Sequence, residues 1–275
     1  MVDLELIRRA LAEDLAGGQD ITSVATVSGR ESVVADFVAR KAGVIAGVEM
    51  AEATLREVGV PDIQVFLHDG EQVKAGSVIM TVRGDTRAIL LAERTALNFL
   101  GHLGGIATLT QMWVQAIAGT ACTIRDTRKT TPGMRLLEKA AVVAGGGANH
   151  RLSLSDAALI KDNHIAAAGG VVEAFSKVRA AFPDAFIEIE VDSLEQLKEV
   201  ATQSPDLVLL DNMTPAQCKE AVAFVAGRFK LEASGGISLE NAMAYAQSGV
   251  DYLAIGALTH SAPVLDIGLD MKLEI

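Results

Sequence analysis

Positively charged side chains are concentrated in residues 125–161. This interval contains seven Lys or Arg residues and three Asp or Glu residues, whereas the remainder of the chain contains 17 and 32. Arg128 follows one short apolar run and Lys161 ends another, so we expect both side chains to enter one cleft. Cations gathered in one cleft require an anionic ligand. A guanidinium suits a carboxylate through two parallel hydrogen bonds, and an ammonium suits a phosphate.

Two carboxylates, Glu190 and Asp211, end later apolar runs. They could hold sugar hydroxyls or a Mg²⁺ ion, which binds one or two carboxylates together with substrate phosphates. Isolated acids at strand ends also serve as helix caps or remain solvated, so both interpretations stay open. Glu188 shares a face with Glu190, because side chains alternate along a strand. In a barrel that face is the interior, where an unpaired carboxylate is costly.

Glycine turns follow the last two apolar runs, at Ser234-Gly235-Gly236 and at Ile255-Gly256-Ala257. Backbone N–H groups at such turns bind phosphate in many barrels. Glycine also simply permits a tight turn between a strand and a helix, and the two interpretations carry equal weight. The order along the chain is therefore cations, then acids, then glycine turns.

The elements that must position these residues repeat from about residue 120 onward. Six apolar runs end at intervals of 21 to 34 residues, the length that a strand, a helix and two loops require. Repeated β-α units predict a parallel sheet that forms a small or incomplete barrel, with its site at the carboxyl ends of the strands. Residues 140–149 leave room for a seventh strand. The six runs are Cys122–Asp126, Ala157–Lys161, Phe186–Glu190, Leu207–Leu210, Lys230–Ala233 and Tyr252–Ile255.

The first hundred residues predict a smaller α+β domain. Apolar residues recur at helical spacing in 3–15 and stop at glycines, and a long helical pattern over 90–111 joins the two domains. Another helix is predicted over 49–58. In the repeating part of the chain, helices are predicted between the apolar runs, over Ser193–Ala201, Thr214–Val225 and Ser238–Gln247. Thr214 and Ser238 are the residue types that cap the start of a helix. The predicted strands of the first domain are Val33–Phe37, Val44–Val48, Val65–Leu67 and Val78–Val82.

Composition excludes several classes of protein. The chain has 275 residues, 50% of them hydrophobic, which is enough to bury a large core. A net charge of −11 and an aromatic content of 4% argue against nucleic-acid binding. Two cysteines indicate a reducing compartment. The acidic start does not resemble a signal peptide, and every apolar stretch is shorter than the roughly 18–20 residues of a membrane helix. We therefore expect a cytoplasmic globular protein without a membrane partner.

Several ordered motifs together resemble the quinolinate phosphoribosyltransferase family, and the resemblance covers nearly the whole chain. The motif Asp126–Gly133 contains the central cations, and the others follow the order of the predicted strands. They are Asn149–Arg151, Leu159–His164, Leu210–Met213, Glu232–Ile237 and Gly249–Tyr252, with Glu13–Leu15, Asp20–Ser23 and Glu93–Asn98 upstream.

The resemblance implies a fold and a reaction. The fold is α/β: an N-terminal α+β sandwich domain, residues 1–110, and a C-terminal incomplete barrel of about seven strands, residues 111–263. The tail 264–275 would return to the first domain, with Leu265–Leu273 as its final strand. The reaction joins quinolinate to phosphoribosyl pyrophosphate with Mg²⁺ as cofactor. Its products are nicotinate mononucleotide, pyrophosphate and CO₂, on the route to NAD.

The resemblance also implies roles for individual residues. Arg94 would come from the neighbouring subunit, so a homodimer would be the minimal active unit; further assembly into hexamers stays open. The implied catalytic residues are Lys129, Lys161, Glu190 and Asp211, the two acids lying near the Mg²⁺ ion that arrives with phosphoribosyl pyrophosphate. The implied substrate-binding residues are Arg94, Thr127, Arg128, Lys129, His150, Arg151, Lys161, Glu190, Asp211, Ser234, Gly235, Gly236, Ile255, Gly256 and Ala257.

Two alternatives remain beside this assignment. One is a paralogue of the same fold, such as a relative associated with molybdenum transport or a nicotinate phosphoribosyltransferase. The pair Arg128 and Arg151 with Lys161 favours a dicarboxylate over a monocarboxylate. The other is a non-catalytic protein that binds phosphosugars, against which the retention of Lys161, Glu190 and Asp211 argues.

Overall fold

A computed structural model describes residues 2–29 and 31–272. The helices are α1 (Leu4–Leu15), α2 (Ile21–Thr26), α3 (Val48–Glu57), α4 (Thr86–Ala116), α5 (Arg135–Ala144), α6 (Asp162–Ala168), α7 (Val171–Ala181), α8 (Leu194–Val200), α9 (Pro215–Val225), α10 (Ala242–Ala246) and α11 (Ala257–His260). The strands are β1 (Ser32–Ala39), β2 (Gly43–Val44), β3 (Asp62–Val65), β4 (Gln72–Val73), β5 (Val78–Asp85), β6 (Thr123–Arg125), β7 (Ala158–Ile160), β8 (Ile187–Val191), β9 (Leu207–Asp211), β10 (Lys230–Ser234), β11 (Tyr252–Ala254) and β12 (Ile267–Lys272).

The described residues form two compact units. The first unit combines those of Met1–Gln111, Leu137–Gly146 and Ser261–Ile275, and the second combines Met112–Leu136 and Gly147–His260. Residues 137–146 thus group with the first unit rather than with the predicted range 111–263. A close approach at Gly145 explains this grouping, because a Cβ there would lie 2.6 Å from the side chain of Thr110 on α4. Glycine therefore lets the end of α5 pack directly on α4.

An antiparallel sheet in the order β12-β1-β5-β3 organises the first unit. Its core includes Phe37, Ile79 and Leu100, all fully buried. Helix α1 begins where Asp3 accepts a hydrogen bond from the backbone of Leu6, and it buries Ile7 on the side of the core. The chain returns to this unit at its end, where β12 pairs with β1. Of the final strand expected at Leu265–Leu273, Leu273 lies outside the described residues.

Three local predictions were wrong. The strand predicted over Val65–Leu67 lies earlier, as β3, and shares only Val65 with it. Of the strand predicted over Val44–Val48, only Val44 pairs, together with Gly43, as β2, and Val48 instead begins α3. Gly47, with φ of 92°, turns the chain there, and Asp69 accepts a hydrogen bond from the backbone N–H of Val48. The predicted start of a helix at Ser238 was also wrong. α10 begins four residues later, because the Ser238 N–H donates to the side chain of Asn241 and forms a turn.

Six parallel strands in the order β6-β11-β10-β9-β8-β7 form the sheet of the second unit. Each predicted apolar run coincides with one of these strands to within about two residues. In place of a seventh strand, Ala148 makes a single parallel bridge to Arg125 at the far edge of β6. Side chains from β6, β8 and β10, which are not adjacent, meet in the interior. The sheet is therefore curled into an incomplete barrel. Among the described residues, no helix is long and apolar enough to cross a membrane.

Candidate active site

A cavity of about 380 Å³ opens at the carboxyl ends of the parallel strands. Its strand residues alternate along the chain, as Leu159 and Lys161, Leu209 and Asp211, and Glu232 and Ser234 show, because alternate side chains face the barrel interior. The cavity combines most of the site residues expected from the sequence. It is lined by Thr127, Arg128, Lys129, His150, Arg151, Leu159, Lys161, Glu190, Leu209, Asp211, Glu232, Ser234 and Ala254.

Two arginines supply positive charge on one side of this cavity. The Nε atoms of Arg128 and Arg151 are buried and have no hydrogen-bond partner. Burial lowers the pKa of the Arg151 guanidinium, and the nearby charge of Arg128 lowers it further. One Arg151 nitrogen donates to the carbonyl of Ala157 at 2.9 Å, which holds the side chain in place. A buried N–H donor without a partner is costly, so the two Nε atoms favour an anionic ligand that binds both arginines.

Lys161 and two carboxylates occupy another wall. Lys161 Nζ lies 2.8 Å from Glu190 Oε2, although nearly half of the lysine side chain is exposed. Burial raises the pKa of Asp211, and the charge of Glu190 raises it further. The side-chain amide of Asn212 donates to Asp211 at 2.7 Å. A carboxylate whose ionisation is opposed by a second carboxylate attracts hydroxyl donors or a cation.

The backbone of Lys129 is fixed by its neighbours. Its N–H donates to Thr127 Oγ1 at 3.1 Å, and its carbonyl accepts a hydrogen bond from Thr259 at 2.8 Å. The aliphatic part of the side chain runs along Gly256, where an added Cβ would lie 3.1 Å from Lys129 Cδ. Gly256 lies between Ile255 and Ala257 in the turn that leads into α11. This glycine turn therefore supports the lysine in addition to any contact with phosphate.

The other glycine turn follows β10. Gly235 and Gly236 both have positive φ, 86° and 64°, which a side chain disfavours. A Cβ on Gly235 would overlap the Asn212 side chain, whereas one on Gly236 would meet nothing within 4 Å. The first glycine is thus required by packing and the second by backbone conformation alone. Ser234, immediately before the turn, faces the cavity.

A buried charged layer lies below these residues. Glu188 Oε2 is 2.7 Å from His150 Nε2, and Glu232 Oε2 is 2.7 Å from a guanidinium nitrogen of Arg125. The guanidinium of Arg125 also stacks on the ring of Tyr252. Burial raises the pKa of Glu188 to about 7 and that of Glu232 to about 7. Sequence reasoning placed Glu188 inside the barrel but overlooked Glu232. The alternation of Leu231-Glu232-Ala233 between faces was the available signal.

Arg94 and His164 are not among the residues that line this cavity. Arg94 is exposed on α4 in the first unit, where it lines a separate cavity with Asp14, Gln19 and Asp20. His164 accepts a hydrogen bond from the backbone N–H of Lys161 at 2.9 Å and so caps the start of α6.

Comparison with known proteins gives consistent matches over both units. Residues 20–104 match the family model described as "Quinolinate phosphoribosyl transferase, N-terminal domain", and residues 106–270 match the corresponding C-terminal domain. A nicotinate-nucleotide pyrophosphorylase [carboxylating] of Mycobacterium leprae is 53% identical over 273 residues, covering 97% of this chain and 96% of that protein.

Relatives of lower sequence identity also match nearly the whole length of this chain. A probable nicotinate-nucleotide pyrophosphorylase [carboxylating] of Bacillus subtilis is 40% identical, covering 98% of this chain and 93% of that protein. The crystal structure of nicotinate-nucleotide pyrophosphorylase from Ehrlichia chaffeensis superposes with a TM-score of 0.93 at 37% identity, covering 98% of each chain. The similarity thus extends over nearly the full length of both chains in every case.

Proposed function

Because the chain belongs to the quinolinate phosphoribosyltransferase family, we propose that its barrel cavity transfers the phosphoribosyl group from phosphoribosyl pyrophosphate to quinolinate. The transfer is coupled to decarboxylation and yields nicotinate mononucleotide, pyrophosphate and CO₂ in NAD biosynthesis. One observation carries the assignment of this reaction to the cavity: two arginines without partners for their buried Nε atoms and a carboxylate pair line the same space.

Quinolinate binds on the arginine side of the cavity in this proposal. Arg128 and Arg151 each offer a planar set of donors to one carboxylate, and the two carboxylates relieve the repulsion between the guanidinium groups. His150 and Lys161 line the same space and complete the positive surface. A monocarboxylate would leave part of this charge uncompensated, which is the physical basis for preferring a dicarboxylate.

Phosphoribosyl pyrophosphate binds on the opposite side. Glu190 and Asp211 hold ribose hydroxyls, Lys129 faces the pyrophosphate, and the turns at Ser234–Gly236 and Ile255–Ala257 hold the 5′-phosphate through backbone N–H groups. A Mg²⁺ ion fits the same wall, because Glu190 and Asp211 supply the one or two carboxylates that it takes beside substrate phosphates. When bound, the ion neutralises charge on the departing pyrophosphate.

The mechanism follows from where charge develops. As pyrophosphate leaves, positive charge accumulates on the ribose ring, and the carboxylates of Glu190 and Asp211 stabilise it. Arg128 and Arg151 hold the pyridine ring so that its nitrogen faces the ribose carbon, which makes positioning the main contribution of the protein. After the nitrogen is ribosylated, the bond between the ring and the adjacent carboxylate breaks and CO₂ leaves. Its electron pair stays on the ring carbon, where the neighbouring cationic nitrogen stabilises it until that carbon takes a proton from water. The reaction therefore needs no covalent enzyme intermediate.

An assay of the products formed tests this function directly. Protein mixed with quinolinate, phosphoribosyl pyrophosphate and Mg²⁺ should release CO₂ and form the mononucleotide. Turnover should stop when Mg²⁺ is chelated. Equal turnover of nicotinate would instead support the nicotinate-specific paralogue, and binding of both substrates without turnover would support a non-catalytic phosphosugar-binding protein.

The active unit in this proposal is a homodimer in which Arg94 completes the site of the neighbouring subunit. Variants Arg94→Ala and Lys161→Ala, each inactive alone, should regain about a quarter of wild-type activity when mixed, because half of the dimers are hybrids with one intact site. No recovery, with subunit exchange verified, would contradict a shared site. Sedimentation of the wild type distinguishes a dimer from a hexamer.

Two free, buried cysteines support a cytoplasmic location.

A further inference from the structure

The segment that contains His150 and Arg151 has no strand to hold it. Among the described residues, it makes one ladder contact, at Ala148, whose N–H donates to the carbonyl of Ile124 and whose carbonyl accepts from the N–H of Asp126. Residues 149–157 are irregular. Elsewhere at the barrel mouth, Lys161 and Asp211 stand at strand ends whose backbones are fixed by neighbouring strands. Some other interaction must therefore fix the backbone around His150.

Side chains from the end of β6 supply that interaction. Asp126 Oδ1 accepts a hydrogen bond from the His150 N–H at 2.8 Å. On the other side of the same peptide unit, a guanidinium nitrogen of Arg125 donates to the Asn149 carbonyl at 3.3 Å. Both the donor and the acceptor of one peptide unit are thus held by consecutive residues. These two side-chain hydrogen bonds continue the backbone pairing that the bridge between Arg125 and Ala148 begins, although no strand forms there.

Two buried glutamates stand behind these contacts. Glu188 holds the His150 ring at Nε2, and Glu232 holds Arg125, each at 2.7 Å. The second oxygen of Glu232 lies 3.7 Å from the same imidazole nitrogen. Relative exposure of the glutamate side chains is 3% and 0%. A charge this deeply buried is retained only where it is paired, so each glutamate strongly determines the position of its partner.

We propose that Glu188 and Glu232 are positioning residues that set the affinity for quinolinate by holding His150 and the backbone of Asn149 in place. The inference rests on the proposed function, because it assumes that His150 and Arg151 bind the substrate carboxylates. Glu188 does not line the cavity, and Glu232 lines it with a fully buried side chain, so positioning requires no contact between either glutamate and the substrate. His150, Glu188 and Glu232 could also surround a cation, since their ligand atoms lie within 4.8 Å of one another. The ion pair between Glu232 and Arg125 opposes that alternative, because the guanidinium already compensates the carboxylate.

The direction of the effect separates positioning from simple electrostatics. If Glu188 acted only through its charge, removing that charge would make the cavity more positive and would tighten the binding of a dianion. If Glu188 positions His150, removing the charge of Glu188 weakens its hydrogen bond to the imidazole. The binding of quinolinate then becomes weaker. The two explanations therefore predict opposite changes in the KM for quinolinate.

Steady-state kinetics of Glu188→Gln at pH 8 tests the proposal. We expect the KM for quinolinate to rise about tenfold, as when one charge-assisted hydrogen bond of ordinary strength is weakened. The kcat and the KM for phosphoribosyl pyrophosphate should stay within about twofold, because the opposite wall is unchanged. Glu195→Gln, the same substitution at an exposed position of α8, is the matched control and should match the wild type in all three constants.

A double-mutant cycle shows whether the effect passes through the imidazole. In a His150→Ala background, Glu188→Gln should cause no further increase in the KM for quinolinate, because the partner is absent. Glu188→Asp retains the charge but shortens the side chain, and it should also raise this KM. It serves as the second variant if the glutamine protein does not fold.

Four results would overturn the inference. They are an unchanged KM for quinolinate in Glu188→Gln, a lower KM, an equal rise in both KM values, and a full effect that persists without His150. When the wild type turns over quinolinate, each of these results overturns the inference and leaves the proposed function in place. A wild type that does not turn over quinolinate would overturn the proposed function itself, so the two failures are distinguishable.

Discussion

The two glycines after β10 allow a matched test of the barrel mouth. Gly235→Ala and Gly236→Ala introduce the same methyl group at adjacent positions, both with positive φ. Forcing alanine into this left-handed conformation costs about 1 kcal/mol of folding free energy at either site. Gly236 has open space around its Cβ direction, so we expect Gly236→Ala to lose only that amount.

Gly235→Ala adds a second cost. The new Cβ would lie 2.7 Å from Asn212 Cγ and 3.1 Å from the Asn212 backbone nitrogen. The exposed Asn212 side chain can rotate away, but it then loses its hydrogen bond to Asp211, worth about 1 kcal/mol. The backbone contact must also give, and overpacking of this kind costs about 1–3 kcal/mol. The expected total is about 3–5 kcal/mol, against about 1 for Gly236→Ala.

Urea unfolding of the two variants and the wild type measures this difference. Equal m-values are required, so that a change in midpoint reports stability alone. Gly235→Ala should also impair turnover more than its neighbour, because the displaced Asn212 no longer orients Asp211. Equal destabilisation by the two substitutions would refute the reasoning, since it would mean that the contact with Asn212 carries no energy.

Three further predictions concern buried groups and a cap. Burial raises the pKa of Glu232 to about 7 from 4.5, so the folded chain binds this proton more tightly than the unfolded chain. The stabilisation is present below pH 4.5 and is lost as pH rises through 7. The unfolding free energy of the wild type relative to Glu232→Gln should therefore fall by about 3 kcal/mol over that window, and a pH-independent difference would contradict this. Burial raises the pKa of Cys122 to about 12 and that of Cys218 to about 11. Neither thiol should react with a disulfide reagent at pH 8 until the protein is denatured, and fast labelling of native protein would disprove their burial. His164→Ala should cost about 1 kcal/mol in urea unfolding through loss of the cap on α6, and His164→Gln, which keeps an acceptor, should cost less.

Local patterns were sufficient to predict the six parallel strands of the barrel. Runs such as Leu207–Leu210 are short, apolar and followed by helical spacing, and only a buried parallel strand satisfies that pattern. Predictions failed where a side-chain hydrogen bond turned the backbone against the local pattern of apolar residues. Val48 has the β-branched shape of a strand residue, but Gly47 and Asp69 turn it into the first residue of α3. Such a contact joins residues 21 positions apart and leaves no local signal.

The sequence by itself determined the order of cations, acids and glycine turns, because parallel strands bring all their carboxyl ends to one edge whatever their exact curvature. The location of Arg128, Lys161 and Asp211 in one cavity follows from that rule. Only the tertiary structure decided the buried layer of Glu188 and Glu232. These residues lie 44 positions apart on strands that are not neighbours, and they meet because the sheet curls. Sequence periodicity specifies the face to which a side chain points, whereas curvature specifies what it meets there.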